Sequence, residues 1–460
     1  MQTATARPVS PYLQGNFAPV TDELDVARLE VTGAIPSALS GQFLRNGPNP
    51  MFDPLGSYHW FDGDGMLHAV TIRDGAAHYR NRWIATTGLA AERRAGRALF
   101  GGMTNASAPD KALVGDETTK NTANTNVMRH AGRILCLWEA GLPTLVTPDL
   151  ETLGTWDFGG KLRGAMTAHP HVDPRTGEML FFGYVPSLQY HRVSAAGELL
   201  QTVSVPVPKP TMMHDFTFTE RFAVFLDAPA VLDYESLLRG GPLVTWQPDN
   251  GTRIGVMRRD GDGSDLRWFE IENGYVVHFM NSWEEGDRIV IDAPRFDTMD
   301  FGAASADVPD AAARLCRFTV DLAAGRASWE RLGELPAEFP RVPAAMEGRR
   351  HRYGYAASFA TGVPRGPLFD SVTKYDLARG ASETTHAFGP GQVTGEAVFA
   401  PDPAGRGEDD GWLLSLVYDE RRTKTDLVVL DAHDLTETAR IHMPRRVPYG
   451  FHANWLPDQD

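Results

Sequence analysis

The feature that most constrains the fold of this chain is a long succession of short apolar segments, each bounded by turn-forming residues. From about Leu29 onward, runs of four to seven residues rich in β-branched and aromatic side chains alternate with Gly, Pro, Asn and Asp. Residues 67–72, 133–138 and 412–418 are examples. Runs of this length and composition are typical of β-strands. The sequence therefore predicts an all-β protein.

The distance over which this pattern persists limits the possible architectures. Short strands sustained over most of 460 residues predict a propeller, a β-helix or several sandwiches. No Trp-Asp or kelch repeat is written in the sequence. Only residues 87–98 and 233–238 suggest helices, with a turn at 309–313. No low-complexity linker divides the chain, so we predict an extended N-terminal arm at 1–22 and a single domain at 23–460.

Charge and composition exclude several functional classes. The chain has 59 acidic and 44 basic side chains, a net charge of −15, which argues against nucleic-acid binding. Its two cysteines, Cys136 and Cys316, are too few for a disulfide framework and predict buried thiols in a reducing compartment. No apolar run approaches about 20 residues, and the N-terminus lacks a signal-peptide pattern. We expect a cytoplasmic protein, with peripheral membrane contact left open.

Four of the 14 histidines occupy similar apolar contexts. They are His169, His214, His278 and His452. Burial of an imidazole costs free energy unless both ring nitrogens have partners. Pro170 also favours an extended conformation for His169. Gaps of 45, 64 and 174 residues exclude a local loop site, so the four could meet only at a common axis, as in a propeller.

Four neutral imidazoles suit a divalent metal, although each could instead be an ordinary hydrogen-bonded core residue. Fe(II) is the natural occupant, because Zn(II) usually takes fewer His ligands in a tetrahedron. Carboxylates should accept the outer ring N–H of the ligands and balance the ionic charge. The acidic residues in apolar settings are Glu139, Glu347 and Glu396. We expect His171, beyond Pro170, not to bind the metal directly.

Motifs in a fixed order along nearly the whole chain carry a resemblance to a known family. They are GQFLRNGPNP at 41–50, WFDGDGML at 60–67, ANTNV at 123–127, LWE at 137–139, TAHP at 167–170, MHDF at 213–216 and the final His452. This set resembles the carotenoid cleavage oxygenases, which include apocarotenoid, lignostilbene and isoeugenol oxygenases. The resemblance implies a seven-bladed β-propeller capped on one face by loops and short helices.

The resemblance also implies a site. Fe(II) would be held by His169, His214, His278 and His452, which are in turn supported by Glu139, Glu347 and Glu396. Thr125 matches a catalytic-site threonine whose methyl group lies near a vacant coordination position. The substrates would be O₂ and an apolar polyene or aryl alkene, whose C=C bond is split into two carbonyls without a general base. Expected tunnel-lining residues are Trp138, Phe279, Phe301 and Phe451.

The identity of the alkene depends on the residue before Glu139. Stilbene-cleaving members resemble one another in having Lys there, whereas this chain has Trp138, whose indole can only donate a hydrogen bond. Residues 99–102 also lack a Tyr that could bind a phenol. We therefore expect carotenoid or apocarotenoid cleavage. A stilbene or phenylpropenoid oxygenase and a non-catalytic binding scaffold remain the alternatives.

Overall fold

A computed structural model describes residues 10–103, 109–239, 241–299, 312–361 and 368–458, and most of its regular structure is β-strand. In chain order, the strands of the first part are β1 (Asp25–Val26), β2 (Glu30–Gly33), β3 (Gly41–Pro48), β4 (Gly65–Arg73), β5 (Ala76–Trp83), β6 (Asn126–His130), β7 (Arg133–Leu137), β8 (Thr144–Val146), β9 (Thr152–Thr155), β10 (His171–Val172), β11 (Met179–Gly183), β12 (Gln189–Val193), β13 (Leu199–Ser204), β14 (Thr217–Phe218), β15 (Phe222–Asp227), β16 (Ala230–Leu232), β17 (Val244–Trp246), β18 (Thr252–Arg258) and β19 (Arg267–Ile271).

The strands of the second part continue the same pattern of short antiparallel segments. They are β20 (Asn281–Glu285), β21 (Arg288–Arg295), β22 (Arg314–Asp321), β23 (Arg326–Arg341), β24 (Tyr353–Ser358), β25 (Ser371–Asp376), β26 (Ser382–Ala387), β27 (Gln392–Thr394), β28 (Val398–Pro401), β29 (Gly411–Asp419), β30 (Lys424–Asp431), β31 (Glu437–His442) and β32 (Ala453–Pro457). The α-helices are α1 (Thr87–Ala95), α2 (Lys111–Val114) and α3 (Tyr234–Leu238).

These strands form the seven blades of a β-propeller, which confirms the predicted fold class. Blade 1 is β1-β5-β4-β3-β32, blade 2 is β6–β9, blade 3 is β10–β13, and blade 4 is β14-β15-β18-β19. Blade 5 contains β20–β22 and the first part of β23, and blade 6 contains the second part of β23 with β24–β26. Blade 7 contains β27–β31 and β2. The ribbon β16-β17, which carries α3 between its strands, is inserted into blade 4.

The ring is closed by strands from both ends of the chain. The C-terminal β32 pairs with β3 in blade 1, with Ala453 opposite Arg45. The N-terminal β2 pairs with β31 in blade 7, with Glu30 opposite His442. These two pairings cover the edges of β3 and β31, which would otherwise be exposed.

The predicted helices at 87–98 and 233–238 are confirmed, and their ends follow capping chemistry. The Thr86 side chain accepts a hydrogen bond from Leu89 N at the start of α1. The helix stops earlier than predicted because Gly96 has φ +68° and forms a left-handed C-terminal cap. Asp233 caps α3 in the same way as Thr86. Most of the turn predicted at 309–313 lies outside the described residues.

Within the predicted N-terminal arm, the structure describes residues 10–22, which contain two short 3-10 turns. Pro11–Leu13 and Gly15–Phe17 form single 3-10 turns, because Ser10 caps the first turn and Pro11 presets its backbone. Asn16 Nδ2 donates to Val447 O at 3.1 Å, which attaches this segment to the chain near the C-terminus. No helix in the described ranges has the length and apolar character needed to cross a membrane.

The cores between blades should set the stability of the ring. Leu44 of β3 is fully buried with Leu67, Val127 and Ile134, which joins blades 1 and 2. Leu44→Ala should lower the free energy of unfolding by about 2–5 kcal/mol, because it leaves a cavity in this layer. Urea unfolding followed by tryptophan fluorescence measures this. The control is Leu153→Ala in β9, whose side chain is 65% exposed and should change stability little; equal effects would contradict the packing argument.

Candidate metal centre

Four histidine side chains converge near the propeller axis. One ring nitrogen from each of His169, His214, His278 and His452 lies within 4.8 Å of the others. The Nε2 atoms of His169 and His214 are 2.9 Å apart. His169 and His278 are each 8% exposed, and His452 is 3% exposed. These are the four histidines that their apolar sequence contexts selected.

The strand pattern explains this convergence. His169 comes just before β10, His214 just before β14, His278 just before β20, and His452 directly before β32. Each of these strands is an edge strand of its sheet. The four edges must face one another for the imidazoles to meet, so they are the inner edges of blades 3, 4, 5 and 1. Residues distant in sequence thus reach the same position in four different blades.

Carboxylates accept the outer ring N–H of three of the four histidines. The distance from Nδ1 to the carboxylate is 3.0 Å for His214–Glu139, 2.5 Å for His278–Glu338 and 3.2 Å for His452–Glu396. A proton on Nδ1 leaves the Nε2 lone pair free to bind a metal. These contacts fix the tautomer and the orientation of each ring.

The acid beside His278 is Glu338, whereas Glu347 was the third acid expected to support the ligands. Glu347 Oε2 instead lies 3.2 Å from His171 Nδ1. Glu338 belongs to β23, whose register against β24 shifts between Glu338 and Arg341. Phe339, in this irregular segment, has φ +52°, and both Glu338 and Phe339 face the central cavity. The sequence signal was an acidic residue inside the apolar run LPAEFP at 335–340.

His171 does not join the cluster but connects its supporting segments. Its Nε2 donates to Phe216 O at 2.9 Å and lies 3.3 Å from Asp215 Oδ1. Asp215 Oδ2 in turn accepts from Phe279 N at 2.8 Å. Burial opposes the charge on His171, but Asp215 and Glu347 outweigh it and raise its pKa to about 10. This imidazolium ties together the backbone segments that carry His169, His214 and His278.

The electrostatics keep the ring lone pairs of His169 and His452 available. Burial and the other three histidines hold the pKa of His169 well below its usual value. Burial likewise lowers the pKa of His452 to about 4, against the opposing effect of Glu396. For Glu139, burial opposes ionisation, but the contact with His214 prevails and lowers its pKa. The carboxylate is therefore ionised where it accepts the imidazole proton.

Thr125, the candidate site residue in the ANTNV motif, is buried next to the cluster. Its carbonyl oxygen accepts from His452 N at 3.1 Å, and its Oγ1 donates to Asn124 Oδ1 at 3.0 Å. Its backbone N–H donates to Leu137 O at 2.9 Å. Thr125 comes directly before β6, at the same position in blade 2 that the histidines occupy in their blades. Its expected role beside a coordination position stays a prediction.

A cavity of about 660 Å³ reaches the centre from one side. His278, Glu338 and Glu396 form part of its wall, and most of its other lining is aromatic or aliphatic. The aromatic lining includes Trp60, Phe61, Phe339, Phe369 and Phe451. The WFDGDGML motif at 60–67 could have revealed Trp60 and Phe61 as lining residues. The cavity has the size and the apolar character of a small-molecule site.

Three of the four expected tunnel residues are described by the structure, and of these Phe451 lies on the cavity wall. Phe279 points away from the cavity and packs in the core with Phe225 and Phe318, because it follows His278 and its side chain is directed to the opposite side. Trp138 is not on the cavity wall; its ring packs against Gly141. Phe301 lies outside the described residues.

The cluster fits a divalent metal ion. Imidazole nitrogens bind such ions at about 2.0–2.1 Å, which puts two ligands at a right angle about 2.9 Å apart. The observed 2.9 Å between His169 and His214 agrees with this. His278 Nε2 is buried and has no hydrogen-bond partner among the described residues. The fold and the centre together define a propeller protein with a four-histidine cluster on its axis that is suited to binding a metal ion.

Comparisons with known proteins agree with this definition. The family model of the retinal pigment epithelial membrane protein matches residues 17–457. A carotenoid cleavage oxygenase of Mycobacterium tuberculosis is 35% identical over 99% of this chain and 100% of its own length. The chain therefore belongs to the carotenoid cleavage oxygenase family and is an oxidoreductase of the oxygenase class, as its ordered motifs predicted.

Solved structures support the same assignment. A lignostilbene dioxygenase of Pseudomonas brassicacearum has a TM-score of 0.91 at 33% identity, covering 98% of this chain and 99% of that one. Cobalt-substituted apocarotenoid oxygenase of Synechocystis has a TM-score of 0.87 at 30% identity, covering 96% and 97%. The chain is thus similar to members named for different substrates.

An experiment can test whether Glu338 or Glu347 supports the metal ligands. Glu338→Gln should weaken metal binding by about 10–100-fold, because the amide cannot hold the His278 Nδ1 proton as a carboxylate does. Co(II) binding in competition with a chelator measures this. Glu347→Gln is the matched control and should have the smaller effect, because it contacts His171. A larger loss in the Glu347 variant would contradict the assignment.

Proposed function

We propose that this protein is a non-haem Fe(II) dioxygenase that uses O₂ to cleave a C=C bond of a carotenoid or apocarotenoid into two carbonyl products. The observation that carries the proposal is the four-histidine cluster, one member of which, His278, lines a cavity with many aromatic side chains. Imidazoles without a competing carboxylate ligand suit Fe(II). The named cobalt-substituted relative supports a first-row metal at such a centre.

The division of labour between metal and protein follows from the residues present. Bound Fe(II) would supply the electron density that lets O₂ react with an alkene. His169, His214, His278 and His452 would hold the ion, with Glu139, Glu338 and Glu396 keeping the imidazoles oriented. Phe339 stacks on His278 with ring centroids 5.2 Å apart. Such side chains would exclude water and align a long apolar substrate.

A polyene suits the cavity better than a phenol-bearing alkene, although both classes occur among the relatives. The apolar wall around Phe61, Phe369 and Phe451 offers contact along the length of a hydrocarbon chain. The lignostilbene dioxygenase supports a stilbene oxygenase as the second candidate. A non-catalytic scaffold has no need for three carboxylates directed at buried imidazoles, since each such group costs free energy.

Product analysis tests this proposal. Iron-loaded protein incubated with carotenoids, apocarotenals and 4-hydroxystilbenes should consume O₂ and release paired carbonyl products from a polyene, detected by mass spectrometry. His278→Ala should lose iron and turnover together. Cleavage of the stilbenes alone would favour the second candidate. Full activity of the His278 variant would contradict the ligand set.

We also propose that the protein takes its substrate from a lipid surface through α3. Tyr234 and Leu238 are 52% and 81% exposed, and residues 241–244, which follow, line the cavity. Exposed apolar side chains beside a cavity for an apolar substrate are typical of an interfacial contact. Transfer along this surface would keep the substrate out of water.

This contact can be measured directly. Replacing both Tyr234 and Leu238 with Ser should lower co-sedimentation with phosphatidylcholine–phosphatidylglycerol liposomes several-fold, since two apolar anchors are lost. Leu200→Ser is the control, because Leu200 is 50% exposed on β13 and does not line the cavity. Equal loss in both variants, or none in the first, would contradict docking through α3.

A further inference from the structure

The supporting carboxylates carry more charge than one divalent ion can balance. Glu139, Glu338 and Glu396 contact three of the imidazoles. The four ligands are neutral when they bind metal, so three negative charges face two positive ones. An uncompensated charge in a buried site is expensive, because neighbouring groups cannot solvate it as water does. The centre therefore needs one more positive charge.

Arg341 supplies a positive charge at this position. Its Nε donates to Glu396 Oε1 at 2.8 Å, and its Nη2 donates to Ala453 O at 3.0 Å. Within the described part of the chain, it is the one arginine or lysine within 4.0 Å of any of the three carboxylates. The Asp215–His171–Glu347 group nearby has two carboxylates for one imidazole, so it supplies no surplus positive charge.

The same contacts clamp the last ligand segment. Glu396 Oε1 accepts from His452 Nδ1 at 3.2 Å, and Glu396 Oε2 accepts from Ala453 N at 2.7 Å. Arg341 holds the carbonyl side of Ala453 while Glu396 holds its amide side. Ala453 begins β32, which closes the ring against β3. One ion pair thus fixes both the metal ligand and the start of the closing strand.

The other two carboxylates have neutral neighbours. Glu139 accepts from the Tyr184 hydroxyl, and Glu338 accepts from the Phe339 amide. The charge compensation is therefore placed entirely at His452. This asymmetry arises from the irregular segment of β23. Glu338 at its start contacts His278, and Arg341 at its end contacts Glu396, which supports His452.

We propose that Arg341 is a positioning residue of the metal centre, which balances its excess negative charge and holds the Glu396–His452 pair in place. It should therefore affect both metal affinity and the reduction potential of bound iron. This inference rests on the proposed iron centre. Removing a positive charge close to the ion should favour Fe(III) over Fe(II), because the field at the metal becomes more negative.

Three variants separate charge from ordinary stability. Arg341→Met removes the charge and the hydrogen bonds, whereas Arg341→Lys keeps the charge but loses the planar two-pronged donor. Arg253→Met is the matched control. Arg253 is 22% exposed and pairs with the fully buried Asp227, and Arg341 is similarly 27% exposed and pairs with Glu396, which is 3% exposed. Circular dichroism first establishes that each metal-free variant is folded.

The readouts are Fe(II) and Co(II) affinity by chelator competition and the Fe(III)/Fe(II) potential by redox titration. Arg341→Met should lose about tenfold in affinity for both ions, because loss of the support for the Glu396–His452 pair should outweigh the stronger attraction of a more negative site for a cation. It should also shift the potential to lower values, because the field at the metal becomes more negative. Arg341→Lys should keep the wild-type potential while losing part of the affinity. If Arg341→Met does not fold, Arg341→Lys is decisive through this split between affinity and potential.

The results distinguish this inference from the proposed function. Wild-type affinity and potential in Arg341→Met, or equal shifts in Arg253→Met, would overturn the role of Arg341 while leaving the iron centre intact. An unchanged affinity or a lowered potential in a folded Arg341→Lys would also contradict it. A wild-type protein that binds neither Fe(II) nor Co(II) would overturn the proposed function, and the inference with it.

Discussion

A buried imidazole must find a partner for each of its nitrogens, and this requirement organises the centre of the propeller. His214, His278 and His452 each give one ring proton to a glutamate, which leaves the other nitrogen directed inward. A carboxylate therefore satisfies the outer nitrogen of each of these rings, and a metal ion would satisfy the inner one. The inner nitrogens of His169 and His214 lie 2.9 Å apart, at the distance expected for two ligands of one metal ion.

The propeller makes this arrangement possible because it repeats one position around an axis. A residue placed just before the innermost strand of a blade therefore lies close to the axis. Four blades use this position for His, and blade 2 uses it for Thr125. The closed ring also holds these edges rigidly, since every strand that carries a ligand is packed between neighbouring blades. A metal site requires this rigidity to keep its geometry.

Ring closure and metal binding depend on the same residues. His452 directly precedes β32, whose pairing with β3 completes blade 1. Glu396 binds both the His452 ring and the Ala453 amide. A displacement of the C-terminal strand therefore changes the position of a ligand, and loss of the ligand contacts weakens the attachment of the strand. His169 differs from the other three ligands, because its ring contacts histidines on every side and its amide donates to Thr167 Oγ1 at 3.0 Å.

Alternating short strands and turn residues determined the all-β class, and four histidines in apolar contexts determined the ligand cluster. Both features could be predicted from the sequence, because the strand pattern and the apolar context of each histidine are visible in short segments of the chain. The tertiary structure alone decided that Glu338 contacts His278 while Glu347 contacts His171, because Glu338 lies at the start of an irregular segment of β23 beside the His278 ring. It also decided that Phe279 joins the core while Phe451 lines the cavity. The direction of a side chain at such a position depends on packing between blades. That packing involves residues distant in sequence, so a local sequence pattern does not reveal it.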